Sequence, residues 1–207
     1  RAAPFFRPAG ARAENSPGKP PAAVVYSWEE VANMKDHTWL DWAIELQALA
    51  QTGLTYCENG YDRERYTRLR EIAAEMAAAG SGAPLERVRD LFCGDTGYPT
   101  PKLDTRAAIF QGDKILLVRE ANGRWSLPGG WCEVNLSVAE NAVKEVREEA
   151  GLEAQVRRII AVQDRDKHNR PRYACGVCKV FLLCTASGGA FVPNLETTAS
   201  GYFAENA

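Results

Sequence analysis

The chain has 207 residues, 45% hydrophobic and 25% charged, with 25 Lys and Arg against 27 Asp and Glu for a formal net charge of −2. These are the proportions of an ordinary globular protein of one or two domains. They exclude a helical membrane protein, because no apolar run approaches the roughly 18–20 residues of a bilayer crossing, and they make a nucleic-acid partner held by bulk positive charge unlikely.

Taken in chain order, Arg1 to Pro21 is a Pro, Ala, Gly and Arg mixture without helical or strand periodicity. Such a segment buries too little apolar surface to offset its ordering entropy, and the expectation is disorder. The first methionine is Met34, and Glu29-Glu30-Val31 ahead of it can be encoded by a purine-rich, ribosome-binding-like sequence. Residues 1–33 are therefore expected to be translated upstream sequence, with Met34 as the natural start.

Residues 34–93 read as a helical N-terminal domain. Trp39, Leu40, Trp42, Ala43, Leu46, Leu49 and Ala50 recur at three- and four-residue steps, which predicts a helix with one apolar stripe. Thr52-Gly53 is expected to end it, and Asn59-Gly60 to mark the link to a second helix. Tyr66, Leu69, Ile72, Ala73 and Met76 line that helix, Gly80-Ser81-Gly82 closes it, and Pro84 opens a short third one as its first residue. Residues 94–102 form a linker rich in turn residues.

From residue 103 to 207 the texture is α+β. Leu103–Phe110 and Lys114–Arg119 around Gln111-Gly112-Asp113 predict a hairpin. Trp125–Gly130 reads as a loop, Ser137–Ala150 as a helix, and Val156–Asp164 and Tyr173–Thr185 as strands, with a further strand starting at Gly201. Six cysteines, at 57, 93, 132, 175, 178 and 184, are too few and too irregular for a disulfide scaffold. Cys175 and Cys178 on one strand would point to opposite faces, which argues against a zinc or redox pair and for free thiols in a cytoplasmic protein.

The chemistry concentrates in Gly129-Gly130-Trp131-Cys132-Glu133-Val134-Asn135-Leu136-Ser137 and the helix that follows. Ser137 with Glu140 forms a capping box, and Gly151 suits the helix end. Ala139, Ala142, Val143, Val146 and Ala150 should face the core. Glu145, Glu148 and Glu149, spaced i, i+3, i+4, share another face. Three carboxylates on one turn repel one another, and a hard divalent cation turns that repulsion into attraction.

This segment resembles the box of the Nudix hydrolase superfamily. Gly130 matches the leading glycine, and Glu145, Val146, Glu148, Glu149, Gly151 and Leu152 match the tail at the family's spacing. Two positions depart: Leu136 stands where the family has a glutamate, and Lys144 where it has an arginine. The N-terminal pattern (Trp39–Leu54, then Tyr66–Met76) resembles the helical domain of a bacterial branch containing CDP-choline and ADP-ribose pyrophosphatases, many of which also lack that first glutamate. The resemblance implies a Nudix α/β/α sandwich with a mixed sheet, preceded by the helical domain and cut short before its closing C-terminal helix. It also implies a homodimer, giving Trp39 and Trp42 a place as exposed interface residues.

The reaction so implied is metal-dependent hydrolysis of a nucleoside diphosphate linked to X, of the CDP-choline or ADP-ribose class. Mg2+ or Mn2+ would be held by Glu145, Glu148, Glu149 and the Gly130 carbonyl. Catalytic candidates are the three helix glutamates and Glu196, with a box glutamate or Glu196 as general base. Arg106 is a candidate phosphate contact, Trp125 and Tyr98 could stack a base, and the segment Asp164-Arg165-Asp166-Lys167-His168 could contact base or X, with His168 its candidate residue. The alternatives are a Nudix domain retained as a ligand sensor, and RNA 5′-end processing, for which the chain has no Lys/Arg-rich stripe.

Overall fold

The computed structural model describes residues 38–169 and 173–206, so the expectations for residues 1–33 lie outside it. Three helices come first: α1 (Thr38–Tyr56), α2 (Gly60–Ser81) and α3 (Leu85–Phe92). The first does not stop at Thr52-Gly53. The hydroxyls of Thr52 and Thr55 donate back to the carbonyls of Ala48 and Gln51, both at 2.8 Å, inside the helix. Gly53 is a packing position, since a Cβ there would lie 2.4 Å from the Tyr66 ring on α2. Gly80 does the same for Trp39, whose indole would be 2.5 Å from an added Cβ. Asn59 caps α2 by accepting from the Tyr61 N–H, Gly82 closes it at φ 70, and Pro84 is the N-cap of α3, not its first helical residue.

The helices close around Ala43, Ala73, Ala77 and Phe92, with Trp39, Ile44 and Met76 packed alongside. Trp39 is thus a packed residue and not the exposed one expected, whereas Trp42 is 53% exposed. Buried Gln47 donates to the Phe92 carbonyl at 2.7 Å and Gln51 to the Gly97 carbonyl at 2.9 Å, tying α1 to α3 and the linker. Gly53→Ala is expected to destabilise the chain despite alanine's helix propensity advantage of about 1 kcal/mol, because overpacking costs about 1–3 kcal/mol. A lower urea midpoint checks this; a higher one would mean the Tyr66 ring has room to move.

The second part holds β1 (Lys102–Gln111), β2 (Lys114–Glu120), β3 (Trp125–Ser126), α4 (Val138–Ala150), β4 (Leu152–Asp164), α5 (Arg165–His168), β5 (Val177–Gly189) and β6 (Thr197–Phe203). They form a six-stranded mixed sheet of order β3-β2-β1-β5-β4 with β6 on β2. β1 and β5 run parallel from Lys102 opposite Val177 to Ile109 opposite Cys184. The β1–β2 hairpin pairs only beside its turn, at Phe110 with Ile115 and Gln111 with Lys114.

Some boundaries differ from the periodicity. β4 begins directly after Gly151, Arg165–His168 is a short helix, and Cys175 is exposed ahead of β5, so the two cysteines do not share a strand. All six cysteines are free.

Strand alternation decides the two faces of the sheet. Ala107, Ile109, Leu116, Val118, Val180, Leu182 and Cys184 pack on Ala142, Val146 and Ala150 of α4. Asp104 and Arg106 of β1, and Lys179 and Phe181 of β5, alternate with those core residues and line a cleft on the other side. No helix among the described residues is long and apolar enough to cross a membrane.

Candidate active site

The acidic helix α4 is fixed at both ends. Its capping box is complete: the Glu140 N–H donates to Ser137 Oγ at 3.2 Å, and the Ser137 N–H donates to Glu140 Oε2 at 2.8 Å. Ahead of it, the Pro128–Cys132 segment runs along β1, with the N–H groups of Ala107 and Thr105 donating to the carbonyls of Pro128 and Gly130 at 2.8 Å. Gly129 is required there: its φ is +145, and a Cβ would sit 1.9 Å from the Thr105 carbonyl oxygen. Asn141, fully buried on α4, donates to Thr105 Oγ1 at 2.8 Å and accepts from the Glu133 N–H at 3.2 Å. One buried amide therefore locks helix, strand and loop together.

This frame separates the three glutamates. Glu145 and Glu149, one turn apart, are each only 9% exposed. Glu149 Oε2 accepts the Gly129 N–H at 2.8 Å, and Glu145 lies against Gly130, where a Cβ would come within 3.3 Å of its Oε2. Glu148 is half exposed and takes the Lys144 ammonium at 2.5 Å. Burial pushes the Glu149 carboxyl up to about 7, opposed by the Gly129 N–H and reinforced by the charges of Glu145 and Glu196. Burial also raises Glu145, with Lys144 opposing it and Glu148 and Glu196 adding to it.

Glu196 is brought to this group by its loop. Asn194 Nδ2 donates to the Glu148 carbonyl at 2.8 Å, Thr197 Oγ1 donates to the Glu149 carbonyl at 3.0 Å, and the Ala121 N–H donates to the Glu196 carbonyl at 2.8 Å.

Gly130 also borders the cleft, a volume of 510 Å³ lined in part by Arg106, Trp125, Trp131, Arg165, Tyr173 and Lys179. Arg106 is held by Asp104 through two 2.8 Å bonds and donates to the Leu127 carbonyl at 3.3 Å. Burial disfavours its charge, and the bonds to Asp104 outweigh that cost. Arg106→Ala is expected to lose about 1–3 kcal/mol, because it removes both hydrogen bonds from the buried Asp104 carboxylate and leaves it only the charge of neighbouring Lys179; guanidinium denaturation measures this, and an unchanged midpoint would contradict it. Trp125 lines the cleft while its ring meets Phe203 edge-on, centroids 4.7 Å apart. His168 is exposed and absent from the cleft lining, where Arg165 and Asn169 stand instead. Tyr98 lines a separate cavity between α1 and the linker.

Among the described residues no three His, Cys, Asp or Glu side chains already converge as a closed ligand cluster. The donor chemistry nonetheless fits a hard divalent cation: burial raises both carboxylates, Glu145 raises Glu149 further, Glu196 acts on both, and all the donors are oxygens. A cation there would relieve a repulsion that the fold otherwise sustains.

Residues 100–205 match the family model described as the NUDIX domain, and residues 37–92 match one described as a UDP-X-like, N-terminal oligomerisation domain. The chain belongs to the Nudix hydrolase family. It is 44% identical over 169 residues to YjhB of Bacillus subtilis (strain 168), provisionally named an ADP-ribose pyrophosphatase, covering 81% of each chain. A crystal structure of a UDP-X diphosphatase superposes with a TM-score of 0.50 at 35% identity, over 80% of this chain and 81% of that one. An ADP-ribose pyrophosphatase from Streptococcus suis 89-1591 is 58% identical over 52% of this chain and 77% of its own, with a TM-score of 0.48.

The two departures from the Nudix box have local counterparts. Leu136 lines a groove whose floor is Ala139, Val143 and Val156, with Lys144 and Arg147 also on its lining. The Lys144 ammonium, raised chiefly by its bond to Glu148, also faces Glu133 at 3.3 Å and Glu145 at 3.7 Å. Sequence reasoning passed over Asn141, Trp131 and Lys179, and it named the Asp164–His168 segment without singling out Arg165. Asn141 carried a signal, as a polar, helix-disfavouring residue next to the apolar stripe.

Proposed function

We propose that this Nudix chain hydrolyses the diphosphate of a nucleoside diphosphate linked to a second group X, of the ADP-ribose or UDP-X class, with Mg2+ or Mn2+ as cofactor. The observation that carries the reading is the pair of buried carboxylates Glu145 and Glu149, both with raised proton affinity and set against the double glycine where the Arg106 cleft opens. The names of the relatives favour the same substrate class.

The residues would divide the work as follows. Glu145, Glu148, Glu149 and the Gly130 carbonyl would hold the cation, with Glu148 first leaving the Lys144 ammonium. When bound, the cation supplies charge neutralisation at the diphosphate and a more acidic water. Glu196, exposed and acting by charge on both buried glutamates, would accept a proton from the attacking water. Arg106 keeps N–H donors beyond those bound to Asp104 and Leu127, enough to meet a phosphoryl oxygen. Trp125 and Trp131, 43% and 50% exposed, offer faces for a base. Products would be a nucleoside monophosphate and phospho-X.

Residues 34–93 are assigned as an oligomerisation domain and 103–207 as the hydrolase domain. The family description of 37–92 supports this, as do the exposed Trp42, Leu49, Tyr56 and Tyr61. A panel of ADP-ribose, UDP-sugars, CDP-choline and short 5′-triphosphate RNA, with products separated by chromatography, tests the reaction. Release of nucleoside monophosphate from at least one diphosphate-X compound is expected. Binding without turnover across the panel would support a sensor instead.

A further inference from the structure

Lys179 is a half-buried charge of the cleft without an ion pair; Arg124, the other lining cation with no ion pair among the described residues, is exposed. Lys179 stands on β5 beside Asp104 of β1 and lines the cleft with Arg106 and Arg165. Both guanidiniums are neutralised, Arg106 by Asp104 at 2.8 Å and Arg165 by Asp166 at 2.9 Å, and Arg165 also lies over the Tyr173 ring at 3.4 Å. The half-buried Lys179 has no salt bridge or hydrogen bond among the described residues.

The cleft's two acids are hydrogen-bonded elsewhere and act on Lys179 through their charge alone. Both Asp104 oxygens accept from Arg106, and the two Glu120 oxygens accept from Ser126 Oγ at 2.9 Å and Asn122 Nδ2 at 2.7 Å. Burial first, then the charges of Arg106 and Arg165, push the Lys179 ammonium down from its ordinary value, and the charges of Asp104 and Glu120 oppose this only in part. An unpaired, desolvated cation weakens a fold, and an anion delivered by a ligand reverses that loss. Arg106 feels the charges of both Glu149 and Asp104, and Lys179 feels that of Arg106. The Pro128–Cys132 loop that carries Glu149's partner Gly129 lies along one edge of β1 and β5 lies along the other, so β1 with Arg106 separates Lys179 from the acidic pair.

We propose that Lys179 binds a non-bridging oxygen of the substrate diphosphate, on the phosphoryl group farther from Glu145 and Glu149. A lysine suits this as a compact point charge for phosphate. The assignment rests on the reading of the site as a diphosphate hydrolase, and it adds a specificity device, because a ligand without a second phosphoryl group leaves the ammonium unpaired.

The test is Lys179→Met, followed by steady-state kinetics on whichever diphosphate-X compound the wild type turns over, and by calorimetric binding of inorganic pyrophosphate in EDTA. Expected are a KM raised about tenfold, the worth of one charged hydrogen bond, a kcat within about twofold of wild type, and pyrophosphate binding weakened to a similar degree. The thermal midpoint should hold or rise, and Lys179→Arg should restore most of the binding. Unchanged KM and pyrophosphate affinity, or a lowered midpoint as the sole effect, would overturn the proposal. Pyrophosphate binding is measured without turnover. A wild type inactive on every diphosphate-X compound, yet binding pyrophosphate through Lys179, would sink the hydrolase reading and leave the phosphoryl site standing.

Discussion

Glu149→Gln is expected to lower turnover of a diphosphate-X substrate by about 10³-fold, the scale on which one essential charged acid–base or ligand group acts. The fold should survive, since the glutamine carbonyl oxygen can still accept the Gly129 N–H that Glu149 Oε2 accepts at 2.8 Å. The variant removes a charge that the buried site holds at a cost. Circular dichroism and denaturation should therefore match wild type or show a gain while activity collapses. Retained turnover would remove Glu149 from the cation-binding set, and joint loss of fold and activity would make it a structural residue.

The second large effect is a dependence of stability on pH in the absence of divalent cations. The Glu149 carboxyl is raised from 4.5 to about 7 in the folded protein, so between those values the native state binds more protons than the unfolded chain. Stability must then fall as pH rises through that window. Below about 4.5 the group is protonated in both states and contributes no penalty; above about 7 it is ionised in both and the full penalty is present. The shift corresponds to about 3 kcal/mol, with Glu145 acting in the same direction. Urea unfolding in EDTA at pH 5 and pH 8 should show the loss in wild type and a smaller one in Glu149→Gln. Equal pH slopes in the two proteins would contradict the burial argument. Added Mg2+ should flatten the wild-type slope, because a cation favours the ionised carboxylates.

The legible parts of the sequence were those set by local rules. The capping box at Ser137, the stop at Gly151 and the hairpin turn at Gly112 stand where the residue types place them, because a cap or a positive φ is decided within a few residues. The glycines of the helical part were read differently from what they do. Gly53 and Gly80 look like terminators in one dimension, yet each clears space for an aromatic ring about a dozen or more residues away in sequence.

The site divides in the same way. The i, i+3, i+4 spacing put three glutamates on one face, but only packing against Gly129 and Gly130 buries Glu145 and Glu149 while leaving Glu148 to Lys144. Arg106 was found from chemistry alone, whereas its pairing with Asp104 depends on both side chains facing the same side of β1. Lys179 was invisible because nothing local marks it, and Arg165 stood in a named segment without being singled out; they reach the cleft through the end of β4 and the start of β5. His168 was the conspicuous residue in its segment, and the helical turn Arg165–His168 gives the cleft position to Arg165 instead.

The central claim is that the acidic helix of this Nudix chain uses a divalent cation to break a diphosphate. The most direct measurement is the initial rate of nucleoside monophosphate release from ADP-ribose and a UDP-sugar by wild type and Glu149→Gln, titrated with Mg2+ and Mn2+ from an EDTA-treated start. A rate that rises saturably with cation in wild type, stays near background in EDTA, and is absent from the variant at every concentration is the predicted result. Turnover undiminished by EDTA, or equal in the two proteins, would contradict it.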